Sequence, residues 1–151
     1  MGSAASPSAP PRPRCWPVSS TQLPPYGDPL SAAFWEAARR HELVVQKCSS
    51  CGIARIVPRP FCVSCNADTV SWVKASGLGT IYSMTTVHRS LSPTFPAPYT
   101  NAIVELDEGA RILTNIVDGA GCQIGDRVRV AWHAREPAPP LPLFTPITGK
   151  H

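Results

Sequence analysis

Long apolar runs are missing from this chain of 151 residues. No stretch approaches the roughly 18 consecutive apolar residues of a membrane-spanning helix, and the N-terminal segment lacks the apolar centre of a signal peptide. The expectation is a cytoplasmic protein with no membrane span. Charge is sparse as well: Asp, Glu, Lys and Arg make up 16% of the residues, with a net charge of +4. Arg12 and Arg14 stand near the N-terminus and Arg39 and Arg40 further on. No run of cations forms a dense stripe, so composition alone gives no strong nucleic-acid signal. Histidine is scarce: His41, His88, His133 and His151 fall in no His-x-x-x-His or Glu-x-x-His spacing. No Gly-x-Ser-x-Gly elbow or Cys–His signature occurs either. A complete active-site constellation is absent, which argues against an enzyme acting on its own.

Proline, by contrast, is abundant, with 18 residues gathered mainly in 1–29 and 137–146. The segment "MGSAASPSAPPRPRCWP" has almost no apolar periodicity and is read as an arm outside the folded unit. Asp28-Pro29 looks like a helix start, with Asp28 as N-cap. Leu30, Ala33, Phe34, Ala37, Ala38 and His41 then repeat at helical spacing, predicting one amphipathic helix from about 29 to 41. Trp35, Arg39 and Arg40 fall outside that stripe, and His41 would complement the C-terminal dipole.

Four of the six cysteines lie in "CSSCGIARIVPRPFCVSC", residues 48–65. Two residues between Cys48 and Cys51, and again between Cys62 and Cys65, let each tight turn aim both sulfurs at one ion, and two such turns complete a tetrahedron. Gly52 suits the backbone turn behind the first pair. Strands are expected at 43–47, 53–58 and 69–75, the plan of a zinc ribbon. Disulfides fit poorly with the regular spacing and the missing secretory signal. A redox pair would need one Cys-x-x-Cys at a βα junction, whereas spacing alone leaves iron open beside zinc. With four protein ligands no coordination position stays open, so one Zn2+ held by Cys48, Cys51, Cys62 and Cys65 would be structural. Cys15 and Cys122 fit no ligand pattern.

Beyond Gly77 the pattern becomes that of longer strands. "TIYSMTTVHRS" (80–90) alternates two faces, and "TNAIVELD" (100–107) and "ARILTNIVD" (110–118) form a hairpin around Glu108-Gly109. Ala102, Val104 and Leu106 share one face, as do Ile112, Thr114 and Ile116. Asp107 and Glu108 read as turn residues rather than paired carboxylates, and Asp118 as a strand-end turn residue. "DRVRVAWHA" alternates again, with Val128, Val130 and Trp132 on one side. Short strands joined by Gly-marked turns predict an OB-like barrel. Trp72, Tyr82, Phe95, Tyr99 and Trp132 would form a stacking platform if the barrel bound single-stranded nucleic acid; core packing is the competing account. The Pro-locked loop "SPTFPAPYT" (92–100) presents Phe95 and Tyr99 with little entropy left to lose, a suitable surface for a partner or an acyl chain.

"FWEAARRHELVVQKCSSCG", "PRPFCVSC", "GLGTIYSMTTVHR", "PYTNAIVELDEGARILTNIVD", "IGDRVRV" and "PLPLFTP", in this order over residues 28–147, resemble the acyl-CoA-associated zinc-ribbon and OB-fold family, formerly a domain of unknown function. The resemblance implies a mainly β protein: a short N-terminal helix, a rubredoxin-like zinc ribbon and an OB-fold barrel. The expected organisation is an arm at 1–27, helix and ribbon at 28–76, barrel at 77–147 and tail at 148–151. It further implies a non-catalytic accessory subunit of a thiolase-like or lipid-transfer-protein-like aldolase enzyme, in a family that also accompanies enoyl-CoA hydratases, in a complex that handles acyl-CoA thioesters in lipid or steroid side-chain degradation. On that reading Phe95 and Tyr99 would contact the partner or the acyl-CoA, and Arg55, Arg59 and Lys74 would lie near CoA phosphates. The alternative is a nucleic-acid-binding OB/zinc-ribbon module.

Overall fold

A computed structural model describes residues 28–90 and 93–147; the expected arm at 1–27 and tail at 148–151 lie outside the described residues. The chain runs α1 (Ala32–Arg39), β1 (Val44–Cys48), β2 (Ala54–Arg55), β3 (Val70–Lys74), β4 (Leu78–Val87), β5 (Tyr99–Leu106), β6 (Arg111–Ile116), β7 (Arg127–Arg135) and β8 (Ala138–Pro146). The first three strands make an antiparallel sheet in the order β2-β1-β3. The remaining five close a barrel in the order β4-β5-β6-β8-β7, the expected five-stranded OB arrangement.

The helix is shorter than its periodicity suggests. Asp28 caps a preceding turn, accepting from Leu30 N on Oδ1 (3.3 Å) and from Ser31 N on its carbonyl (3.0 Å), and the helix proper starts at Ala32 with Ser31 as N-cap. At the other end His41 takes φ 57°. Its N–H donates to Ala38 O (2.9 Å) and Glu42 N–H to Ala37 O (3.0 Å), a Schellman closure with histidine in the place glycine usually takes. Phe34, Ala37 and Ala38 are buried as expected, but Leu30, Ala33 and His41 are exposed. Trp35, placed outside the stripe by periodicity, is half-buried because its ring meets Phe34 edge-on at 5.0 Å.

In the barrel, Ala102, Val104 and Leu106 of β5 face Ile112, Thr114 and Ile116 of β6, all buried. The hairpin closes through Gly109 at φ 84°, whose N–H donates to Leu106 O at 2.8 Å. In β4 the simple alternation breaks. A bulge between Ile81 and Ser83 turns Tyr82 out to solvent, so Ile81 before it and Met84 after it both pack on the core despite opposite parity. Gly79 permits the close approach of β4 to β5, since a Cβ there would meet Glu105 O at 2.6 Å.

β8 was not foreseen as a strand, because "APPLPLFTP" reads as a Pro-rich end. It works because of which side its missing donors face. Val130 N–H points away to Gly77 O (2.8 Å) and Val117 N–H donates to Phe144 O (2.7 Å), so even-numbered residues of β8 face β6 and odd-numbered ones bond to β7. Pro140, Pro142 and Pro146 share the parity of Phe144, leaving the β7 ladder in one register from Val128 to His133; it shifts before Arg135, beside the odd-numbered Pro139. The β6–β8 pairing, in contrast, is a single parallel rung, Ile116 opposite Phe144. The next rung would need an N–H from residue 142, and Pro142 has none. The barrel therefore splays between β6 and β8, and Phe34 and Trp35 of α1 line the gap. One apolar core runs from Phe34 and Val45 through Ile81, Val104 and Val128 to Phe144.

Candidate metal centre

The two cysteine turns are built to one pattern. Gly52, fifth from Cys48, takes φ 77° and donates its N–H to Cys48 O (2.9 Å); Cys48 N–H in turn donates to Ile53 O (3.0 Å). Asn66, fifth from Cys62, takes φ 58° and donates to Cys62 O (2.9 Å), while Cys62 N–H donates to Ala67 O (2.7 Å). Asparagine is among the few non-glycine residues at ease in that left-handed conformation. Cys-x-x-Cys followed by Gly or Asn was a signal available in the sequence, of which only the glycine was used.

The turns face each other so that the four sulfurs lie within 4.8 Å of one another. Cys48 Sγ stands 3.7 Å from Cys65 Sγ, and Cys51 Sγ 3.5 Å from Cys62 Sγ. A tetrahedron with Zn–S bonds of about 2.3 Å has edges of roughly 3.8 Å, so the set fits one zinc ion. Cys48 and Cys62 are buried and Cys51 and Cys65 exposed. The backbone N–H of Cys51 bonds the Cys48 sulfur and brings it down to about 6. The N–H groups of Cys65 and Ser64 likewise hold Cys62 below the usual thiol value. Cys51 is pulled down by the Ile53 N–H, but its bond to Cys62, burial and the neighbouring thiols outweigh this and push it up to about 12. Four thiols this close cannot all ionise alone; a divalent cation eases the conflict by binding each sulfur as thiolate and offsetting half of their combined charge. With the four ligands in place the ion has no position for water or substrate, which makes the centre structural.

Among the described residues these cysteines are the one group of three or more potential metal ligands. His41 lies against the Trp132 ring at 5.7 Å and His133 against Phe95 at 5.7 Å. Asp107 takes both nitrogens of Arg127 (2.6 and 2.9 Å), which lowers its carboxyl pKa. Glu108 accepts from Ser76 N (2.6 Å), tying the hairpin turn to the ribbon-to-barrel link.

The other singled-out residues separate. Phe95 and Tyr99 stay together, rings 6.1 Å apart. Phe95 also lines an apolar groove of about 350 Å³ in the β6–β8 splay, with Trp35, Leu113 and Leu141. Arg55 is turned inward, its Nε on Gln46 Oε1 (2.7 Å) and its Nη2 on the carbonyls of Arg59 (3.2 Å) and Phe61 (2.9 Å). This network and two prolines shorten the expected 53–58 strand to Ala54–Arg55. Arg59 is exposed, and Lys74 pairs with Glu42 at 2.9 Å. The five aromatics form no continuous stacking row: Trp72 packs toward Phe34 at 6.4 Å, and the Arg111 guanidinium lies 3.6 Å over the Tyr82 ring.

Fold and site together define a zinc-ribbon/OB-fold protein. The rubredoxin-like zinc-ribbon domain of ChsH2 matches residues 35–71, and the C-terminal OB-fold domain of ChsH2 matches residues 72–133. A DUF35 domain-containing scaffold protein of Methanocaldococcus jannaschii is 39% identical over 60% of this chain and 67% of its own length. The chain belongs to the ChsH2 (DUF35) family of zinc-ribbon/OB-fold proteins. It is similar to a chain of the solved Ltp2-ChsH2(DUF35) aldolase, at TM-score 0.72 and 36% identity, covering 82% of this chain and 98% of that one. A probable enoyl-CoA hydratase alpha subunit of Thermomonospora curvata is 40% identical over 76% of this chain. The 3-oxo-4,17-pregnadiene-20-carboxyl-CoA hydratase alpha subunit of Mycobacterium tuberculosis is 33% identical over 68%. The chain spans 37% and 33% of those two relatives' lengths. No described helix is long and apolar enough to cross a membrane.

Proposed function

We propose that this chain is a non-catalytic accessory subunit, cytoplasmic, that docks on and supports a thiolase- or aldolase-type enzyme acting on acyl-CoA thioesters, in lipid or steroid side-chain degradation. The observation that carries the reading is the closed tetrathiolate centre: the strongest chemical feature of the chain has no position left for a reacting atom. The likeness to a chain of an Ltp2-ChsH2(DUF35) aldolase supports an enzyme as the partner. The groove beside Phe95 has the volume of a small-molecule site and an apolar lining. It is the part of this chain suited to the apolar portion of a thioester, with Phe95 in its lining and Tyr99 against the Phe95 ring. Arg59 and Lys74 remain the cations for CoA phosphates, whereas Arg55 organises the ribbon loop.

The test is co-purification from the native host followed by assay of the separated components. The partner should carry the turnover of an acyl-CoA and the isolated chain none; turnover by the chain alone overturns the proposal. Phe95→Ala with Tyr99→Ala should weaken the complex or its thioester binding while keeping one zinc per chain. Equal complex strength and equal thioester binding would reduce that loop to a barrel closure.

A further inference from the structure

The ribbon loop between the two cysteine turns presents large apolar side chains to solvent. Val57 is 63% exposed, Phe61 55% and Val63 74%, and Ile53 beside the first turn adds a fourth at 43%. Because the four sulfurs lie within 4.8 Å of one another, Ile53, Phe61 and Val63, close in sequence to Cys51 and Cys62, gather around the cysteine centre. Single exposed apolar residues are ordinary, whereas four around one site mark a contact surface.

This loop is also held in one conformation. Gln46, itself buried, accepts on Oε1 from Arg55 Nε (2.7 Å) and Arg59 N (3.0 Å), and Arg55 Nη2 clamps the Arg59 and Phe61 carbonyls. Pro58 and Pro60 preset φ on either side of Arg59. The network touches neither metal nor groove; what it does is fix the loop whose Val57 and Phe61 point outward. Side chains held this way lose little entropy on docking, as interface anchors require.

Charge selects the occupant. Between Cys51 and Cys65 stand Arg55 and Arg59 and no acidic residue. Arg55 is consumed internally, while Arg59 is exposed in the middle of the patch. A symmetric contact between two copies would bring both Arg59 guanidinium groups together, a repulsive arrangement. We propose that this loop, with Ile53 and Val63, seats in an apolar socket on the partner enzyme whose rim carries a carboxylate for Arg59. The inference rests on the accessory-subunit reading and adds the face through which the enzyme is held.

The probe is the purified enzyme that the wild-type chain retains from its host, titrated against wild type, Val57→Asp with Phe61→Asp, and Arg59→Glu. The double variant is expected to keep one zinc per chain and to bind about 100-fold more weakly. Arg59→Glu should slow association about tenfold at low salt, with the difference shrinking as salt rises. If the double variant loses zinc, Val63→Lys at the most exposed position takes its place with the same expectation. Wild-type affinity in a zinc-loaded patch variant overturns the inference and leaves the accessory reading standing. A wild-type chain that sediments as a dimer and becomes monomeric in the patch variant overturns it in favour of a second copy. A wild-type chain that retains no enzyme defeats the accessory reading, and the inference falls with it.

Discussion

Cys62 shows how one residue can hold a whole substructure. Its sulfur is buried, meets Cys51 across the centre at 3.5 Å, and its backbone closes the second cysteine turn. Cys62→Ser is expected to abolish stoichiometric zinc, read by elemental analysis, and to melt the ribbon, read by circular dichroism. A metal-free wild type carrying two disulfides would contradict this. Asp107 makes a smaller contribution with a defined pH dependence. Its folded pKa is lowered by the hydrogen-bonded Arg127. The stabilisation is thus complete above the ordinary carboxylate value of about 3.9 and is lost as pH falls through the depressed one. Both side chains are nearly half exposed, so solvent screens the pair. Asp107→Asn should lower the thermal midpoint slightly near neutral pH, less at high salt, and not at all in strong acid. Since acid also protonates the zinc thiolates, the two proteins are compared at each pH.

At the scale of elements, α1 is small but closes the gap that Pro142 opens. Phe34 is 8% exposed and belongs to the same core as Val104 and Phe144. Phe34→Ala removes a buried ring beside an existing groove, and a loss of about 3 kcal/mol in denaturant unfolding is expected. The groove should widen as well, seen as uptake of an apolar fluorescent dye by the variant and not by wild type. The zinc content should not change, because the Phe34 ring contributes nothing to the cysteine turns.

The molecule as a whole joins ribbon and barrel through one core, so the two are not independent beads. Leu43, Val45 and Ala75 from the ribbon side share the cluster with barrel residues. That core is built from residues between 34 and 144. Deletion of residues 1–20 is therefore expected to leave zinc content and the thermal transition within error of the full chain. A drop of several degrees would show that the N-terminal segment belongs to the folded unit.

The local features legible in the sequence were those whose cause is local. Cys-x-x-Cys spacing dictates a turn that aims two sulfurs together, alternation in 100–118 dictates a half-buried hairpin, and the ligand count dictates a closed centre. Features decided by partners distant in the chain were not legible. Pro-rich 138–146 becomes a strand because the missing donors of Pro140, Pro142 and Pro146 face β6, a matter of parity that neighbouring strands set. Trp35 leaves the solvent face because a barrel gap beside it needs filling, and the Tyr82 bulge depends on the register of β5. Arg55 looked like a phosphate ligand by its charge alone. The fold turned it inward onto Gln46 and two carbonyls, because a loop with proline on both sides of Arg59 leaves backbone acceptors outside any strand ladder, and the long Arg55 side chain reaches them.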